Sequence, residues 1–170
     1  MASLMDDLLG ILETEENEYR RLIGLAEQKR QVIIDANITE LEKITEQEQY
    51  VTDMLHNLEL KRSGVLSDMA VVLGQKSEEL TIDRMILILE KQPEEQKKLI
   101  NLRTKLRATL DEMILWNTQN QMLLKNALEM VEFDLNLFKS LRQAPETANY
   151  NRSAYNTGDL LGSGGFDAKQ

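Results

Sequence analysis

Apolar residues recur at every third or fourth position through most of this chain, and the pattern stops at Ala144-Pro145. Such spacing places a stripe of apolar side chains along one face of a helix. The first series predicts a helix over residues 3–34 and consists of Leu4, Leu8, Ile11, Leu22, Leu25 and Val32. The second predicts a helix that ends before Gly74 and consists of Leu41, Ile44, Val51, Leu55, Leu58, Val65, Met69 and Val72.

Residues at the breaks of the pattern predict where helices begin. Asn37 is followed three residues later by a glutamate, which is the spacing of a capping box. Thr81 is suited to cap a short helix over residues 82–91. Pro93 and the two glutamates after it suit the first turn of a last helix, which meets no internal breaker before Gln143.

The predicted helices differ in length, and this difference shapes the expected fold. At the rise of an α-helix the last one is about 75 Å long, against about 46 Å and about 54 Å for the first two. Part of the last helix is therefore expected to extend past what the first two cover. The prediction is an all-α, coiled-coil-like bundle over residues 1–143, made of a long antiparallel hairpin and a longer final helix, followed by a flexible tail over residues 144–170.

Composition narrows the functional classes. The chain is 42% hydrophobic but only 5% aromatic, which favours a helical core of Leu, Ile, Val and Met. A net charge of −9 argues against binding to nucleic acids and to anionic membranes, since both need clustered Lys and Arg. The absence of cysteine fits a reducing compartment, and neither a membrane-spanning run nor a signal peptide is present in the sequence. We therefore expect a soluble cytoplasmic protein.

Four charged residues interrupt the apolar stripes of the first two helices, namely Glu15, Lys29, Glu48 and Arg62. In an antiparallel hairpin, facing positions have a constant sum of residue numbers. Glu15 with Arg62, and Lys29 with Glu48, both give 77, and both pairs are opposite in charge. We interpret them as structural pairs that fix the register of the hairpin. A catalytic role for Glu15 or Glu48 is the less favoured alternative.

Metal and catalytic sites find little support in the sequence. His56 is the only histidine, and Asp53 precedes it by three residues, as in half of a di-metal carboxylate site. Such a site needs a second histidine from another helix. No cluster of acid, base and nucleophile is evident either. We therefore expect no enzyme, no metal, no cofactor and no small-molecule substrate.

Asn117 and Asn120 lie one turn apart on the last helix, at or beside its apolar face. The favoured interpretation is a buried amide pair that specifies helix register. The alternative is hydrogen bonding of these side chains to a bound partner.

The second half of the last helix has two apolar stripes, whereas packing on one neighbour needs only one. A contiguous exposed patch of this kind is typical of an interface. Cover by the short third helix is an equally weighted alternative. The first stripe consists of Leu123, Ala127, Met130, Leu137 and Leu141, and the second, our candidate partner-binding site, of Leu124, Leu128, Val131, Leu135 and Phe138.

The tail is rich in Asn, Ser and Gly, and it carries two aromatic residues, Tyr150 and Tyr155. Tyrosine combines a large apolar ring with a polar hydroxyl, so these residues are candidate anchors for a partner. A rigid helical body with such a tail suits a protein that holds another protein.

The ordered combination of these features resembles the FlgN family of flagellar type III export chaperones. The matching positions are Glu15, Tyr19, Leu22, Leu25 and Lys29 in the first helix, Leu41, Glu48, Leu58-Glu59 and Arg62 in the second, Asn117, Asn120 and Leu123-Leu124 in the last, and Tyr155 and Gly158 in the tail.

The resemblance implies a cytosolic helical chaperone for hook-associated proteins, which form the hook–filament junction. It implies binding to the terminal helical segments of that cargo and delivery of the complex to the export gate at the membrane. The rival interpretation is a structural coiled-coil protein whose exposed apolar stripe closes a homodimer. The two differ in oligomeric state without cargo.

Overall fold

A computed structural model describes residues 2–143, and all of its regular elements are helical, as predicted. Helix α1 spans Ala2–Ile34, α2 spans Ile38–Leu73, α3 spans Ile82–Ile88 and α4 spans Pro93–Gln143. Two short 3₁₀ turns, Ser77–Glu79 and Leu89–Lys91, flank α3. Within the described residues, no helix is both long and apolar enough to span a membrane.

The turn between α1 and α2 is stabilised by the predicted cap. The Asn37 side-chain oxygen accepts a hydrogen bond from the Glu40 backbone N–H at 3.2 Å, which satisfies a donor in the first turn of α2. The Glu40 carboxylate does not complete a capping box; it pairs with Lys43 at 2.6 Å instead. α1 and α2 form the predicted antiparallel hairpin.

The other predicted helix ends are also found. Gly74 follows α2 with a φ of 65°, which costs glycine little, and the Gln75 N–H donates to the Ala70 carbonyl at 2.9 Å. Thr81 caps α3 by accepting from the Arg84 N–H at 3.2 Å. Pro93 is the first residue of α4.

The described residues divide into two units, one that ends at Ala127 and one that begins at Leu128. The first unit contains two clusters of buried apolar side chains. One is formed by α1, α2, α3 and α4, with Leu8, Leu12, Met69, Met85 and Leu99 at its centre. The other lies between α1 and α2 and consists of Leu25, Ile44, Val51 and Leu55.

Within the first unit, α4 runs parallel to α1. The Thr109 hydroxyl donates to Glu16, and the Asn120 amide donates to the Ala26 carbonyl, at sequence separations of 93 and 94. A nearly constant separation indicates parallel helices, as a constant sum indicates antiparallel ones. With the same separation, the position on α4 that faces Ile34, the last residue of α1, is Ala127. Ala127 is also the last residue of the first unit.

Candidate partner-binding surface

Both predicted ion pairs of the hairpin are formed. The Lys29 ammonium lies 2.7 Å from a Glu48 carboxylate oxygen, and Arg62 Nε lies 3.3 Å from Glu15 Oε1. All four side chains are largely shielded from solvent, and Glu15 is buried. Burial raises the pKa of the Glu15 carboxyl above its ordinary value; Arg62 opposes this rise, and Glu59 adds to it.

A second acidic residue, Glu16, was not predicted as a site residue, yet its side chain is fully buried against α4. Its carboxylate accepts a hydrogen bond from the Thr109 hydroxyl at 3.1 Å, lies 3.0 Å from the Lys105 ammonium and pairs with Arg20. Burial disfavours the charged form, but Lys105, Arg20 and Thr109 together outweigh it, so the pKa of Glu16 is lowered from its ordinary value.

Only a weak signal in the sequence indicated that Glu16 is buried. It belongs to a second buried series on α1, which includes Met5, Leu12, Ile23, Ala26 and Ile33. The charge at position 16 interrupts this series, just as Glu15 interrupts the series that faces α2. The prediction followed one face of the helix, whereas α1 buries two.

The expected buried amide pair is wrong for one of its members. Asn120 is buried, and its Nδ2 donates to the Ala26 carbonyl at 2.8 Å. Asn117 is exposed, and its Nδ2 lies 3.1 Å from the Met113 sulfur on the same helix. Three residues turn a helix by about 300°, which leaves the two side chains about 60° apart, so Asn117 lies at the edge of the face that α1 covers. Of these two amides, only Asn120 donates a hydrogen bond to α1 within the described residues.

A cleft of about 260 Å³ opens beside Asn120 in the first unit. It is lined by all three long helices, with Leu22, Lys29, Glu48, Thr52, Asn117, Asn120, Gln121 and Leu124 as its walls. The buried Oδ1 of Asn120 accepts no hydrogen bond within the part of the chain that the structure describes. Leu124, which was predicted to belong to the exposed stripe, is half-buried in this cleft instead.

In the second unit, the apolar side chains on α4 are exposed. Their exposed fractions lie between 47% and 69%, and the set comprises Leu128, Met130, Val131, Phe133, Leu135, Leu137, Phe138 and Leu141. Four of the five candidate partner-binding residues, Leu128, Val131, Leu135 and Phe138, belong to this set. We call residues 128–141 the apolar segment.

The short third helix, which was the alternative cover for these residues, packs within the first unit. Met85 of α3 is buried in the core of the first unit. The start of α4 also contacts α3, because the Gln96 amide donates to the Ile86 carbonyl at 2.9 Å and Arg103 lies 2.6 Å from Asp83. The apolar face of α3 is therefore used in the first unit, and the apolar segment is exposed to solvent.

The remaining sequence candidates are quickly placed. His56 is exposed and lies 3.9 Å from Glu59 on its own helix. Over residues 2–143, no group of three His, Cys, Asp or Glu side chains is arranged to hold a metal ion. Tyr150 and Tyr155 lie outside the described residues.

Comparison with known proteins gives one match. The family described as FlgN protein matches residues 1–158 of the chain, a range that includes α1 to α4 and both tail tyrosines. No curated protein and no solved structure matches it.

Proposed function

We propose, from the premise that the chain belongs to the FlgN family of flagellar chaperones, that it binds the terminal amphipathic helices of hook-associated proteins. It keeps this cargo from assembling early and delivers it to the export gate at the membrane, and it acts in the cytoplasm. The observation that carries the proposal is the exposed apolar segment of α4.

The physical argument starts from the cost of that exposure. Each large apolar side chain left in water forgoes about 1.5–3 kcal/mol relative to full burial, and eight lie within one short helical segment. An amphipathic cargo helix laid along Leu128, Val131, Leu135 and Phe138 removes their surface from water. The cargo segment orders on binding, and this entropic cost keeps the affinity moderate enough for release.

The cleft in the first unit offers a second contact of a different kind. Asn120 Oδ1 has acceptor capacity to spare, and Asn117 presents an exposed amide beside it. A cargo side chain or helix end that donates a hydrogen bond there, with Leu124 as its apolar neighbour, would satisfy a group that is otherwise buried without a partner. We assign Tyr150 and Tyr155 in the tail to contact with cargo or with the gate.

The test is the double variant Leu128→Ser, Phe138→Ser. Both side chains are exposed, so helicity by circular dichroism should be unchanged, whereas affinity for a labelled terminal-helix peptide of a hook-associated protein should fall at least about tenfold. The matched control is Ile114→Ser, Leu115→Ser, which removes two similarly exposed apolar side chains from the first unit. Equal losses in both variants, or none in the first, would exclude the apolar segment as the cargo site.

The same exposed segment also supports a second candidate, a structural protein that dimerises through it. A homodimer buries the segment without any cargo. Light scattering coupled to size exclusion separates the two functions, since a stable dimer of twice 19.6 kDa that dissociates in the Leu128→Ser, Phe138→Ser variant favours the structural one. A monomer at all concentrations excludes it.

A further inference from the structure

A groove on the hairpin of the first unit is not used by the proposed cargo site. It lies between α1 and α2, has a volume of about 680 Å³, and is lined by Asp6, Asp7, Gly10, Ile11, Thr14, Leu58, Lys61, Gly64, Val65 and Asp68. None of these residues belongs to α4. We call it the hairpin groove.

Two glycines, Gly10 and Gly64, line the hairpin groove from opposite helices. A glycine inside a helix costs about 1 kcal/mol relative to alanine. Neither glycine has a positive φ, and a Cβ built on either would meet no atom within 4 Å. The packing of the described residues therefore does not require glycine at these positions, whereas a partner whose backbone approaches closely would need one.

The rim of the groove is acidic. Asp6, Asp7 and Asp68 place three carboxylates around it, against the single ammonium of Lys61. Within the described part of the chain none of these four side chains forms an ion pair, although such pairs are common elsewhere on the same helices. The floor contributes apolar surface from Ile11, Leu58 and Val65, which are half-buried.

We propose that the hairpin groove is a docking site for a helix of a second protein, with basic residues flanking an apolar stripe that includes small side chains. Two neighbouring helices form a groove into which a third packs, and absent side chains at Gly10 and Gly64 allow it to pack closely. Lysine or arginine on both flanks meets the unpaired carboxylates, which favours this partner over a neutral or acidic helix. The hairpin groove shares no residue with the proposed cargo site.

The test uses a stapled, fluorescein-labelled helical peptide with an Ala/Leu stripe flanked by lysines, and a matched peptide with glutamate at each lysine position. The lysine peptide should bind the full chain at least about tenfold more tightly than the glutamate peptide. Its binding should weaken as salt rises from about 0.05 M to about 0.5 M. Amide NMR signals of Gly10 and Gly64 should shift on its addition.

Variants locate the binding. Gly10→Leu, Gly64→Leu should weaken the lysine peptide at least about tenfold, while Gly24→Leu, also on α1 with open space around it but outside the groove, should leave it unchanged. Gly10→Ala, Gly64→Ala should raise the melting temperature and keep part of the affinity. The alanine pair keeps the test valid if leucine disturbs the fold.

A charge control separates docking from general attraction to an acidic protein. Asp6→Asn, Asp7→Asn, Asp68→Asn should weaken binding more than Glu42→Gln, Glu46→Gln, Glu112→Gln, which removes the same charge from exposed positions outside the groove. Equal weakening in the two charge variants would mean that binding depends only on net charge, and this would overturn the proposal. Unchanged affinity of the Gly10→Leu, Gly64→Leu variant for the lysine peptide would overturn it as well. Cargo binding should be unchanged in every groove variant, so the two proposals fail independently.

Discussion

Glu15 and Glu16 are neighbours in sequence, but their carboxyls face different helices and their pKa values shift in opposite directions. Burial dominates at Glu15 and raises its pKa above the ordinary 4.5, so the folded state binds more protons there than the unfolded state, and stability falls as pH rises through that range. At Glu16 the cationic and hydroxyl partners win and lower its pKa below 4.5. Its contribution is complete above 4.5 and is lost as pH falls through the lowered pKa.

Replacement of Glu16 by glutamine should therefore lower the free energy of unfolding at neutral pH by about 1–3 kcal/mol, because it leaves Thr109 and Lys105 with a weaker partner. Urea unfolding from pH 7 downward measures the loss. The difference from the unmodified chain should shrink below pH 4.5 as Glu16 itself becomes protonated.

Two matched substitutions control this experiment. Glu27→Gln removes an exposed carboxylate from the same helix and should change stability little. Glu15→Gln should cost less than Glu16→Gln at neutral pH, since burial already penalises the charged form of Glu15. Equal losses for Glu15→Gln and Glu16→Gln would contradict the opposite shifts.

At the scale of elements, the pair Lys29–Glu48 ties α1 to α2 across the hairpin. We predict that Lys29→Glu alone lowers stability by about 1–2 kcal/mol, because it sets two partly buried carboxylates against each other. Adding Glu48→Lys should restore most of the loss in a double-mutant cycle measured by urea unfolding.

The exposed pair Lys43–Glu40, within α2, supplies the control cycle. Its expected coupling is much smaller, since water screens both partners. A coupling no larger at Lys29–Glu48 would mean that this pair does not contribute to the register of the hairpin.

The helices themselves could be predicted because the evidence for each is local. Asn37, Gly74, Thr81 and Pro93 act within one turn of their own position, and the hairpin register followed from two charge pairs with one common sum. The packing of α4 on α1 could not be predicted in the same way. This packing depends on Glu16, a charged residue that interrupts an apolar series. Facing positions on α1 and α4 have a nearly constant difference of residue numbers, whereas facing positions in the hairpin have a constant sum.

The outward side of α4 was harder still. Asn117 and Asn120 are equally polar in sequence, and only the position of α1 decides that Asn120 is buried and Asn117 is not. Leu124 belongs to the same stripe as Leu128, but it lines a cleft in the first unit and is half-buried there. Sequence periodicity shows that a side chain shares a face with others; it does not show whether a neighbour covers that face.

At the scale of the whole molecule, we expect the buried clusters to determine stability and the tail to contribute to binding. All members of the two apolar clusters fall within residues 4–110. Truncation after Gln143 should therefore keep the melting temperature within about 2 °C, while it weakens binding to cargo peptide or to the gate through the loss of Tyr150 and Tyr155. Calorimetry and fluorescence anisotropy on the same preparations measure the two effects.

Point variants in the full chain assign that loss to the aromatic rings. Tyr150→Ala, Tyr155→Ala should reproduce the weaker binding of the truncated chain, and Asn149→Ala, Asn151→Ala should not. Full affinity for both partners in the truncated chain would make the tail a passive linker. A large fall in melting temperature would instead give it a structural role.

The separations of 93 and 94 residues between α1 and α4 bear on the order in which the chain folds. The hairpin pair Lys29–Glu48 closes a loop of only 19 residues, so its contacts form at a lower entropic cost and should form first. Once the hairpin exists, α4 docks onto it as a late step. The reverse process then releases α4 before the hairpin opens.

Native-state hydrogen exchange should accordingly show two levels of protection in the first unit. Amides around Val51 and Leu55 in the hairpin should exchange only on global unfolding, and amides around Leu106 and Thr109 in α4 should exchange by a smaller opening. A single level of protection for both would mean that the unit opens as a whole. If the two levels of protection differ, a cargo that binds only α4 would slow amide exchange in α4 and leave the exchange rates of the hairpin amides unchanged.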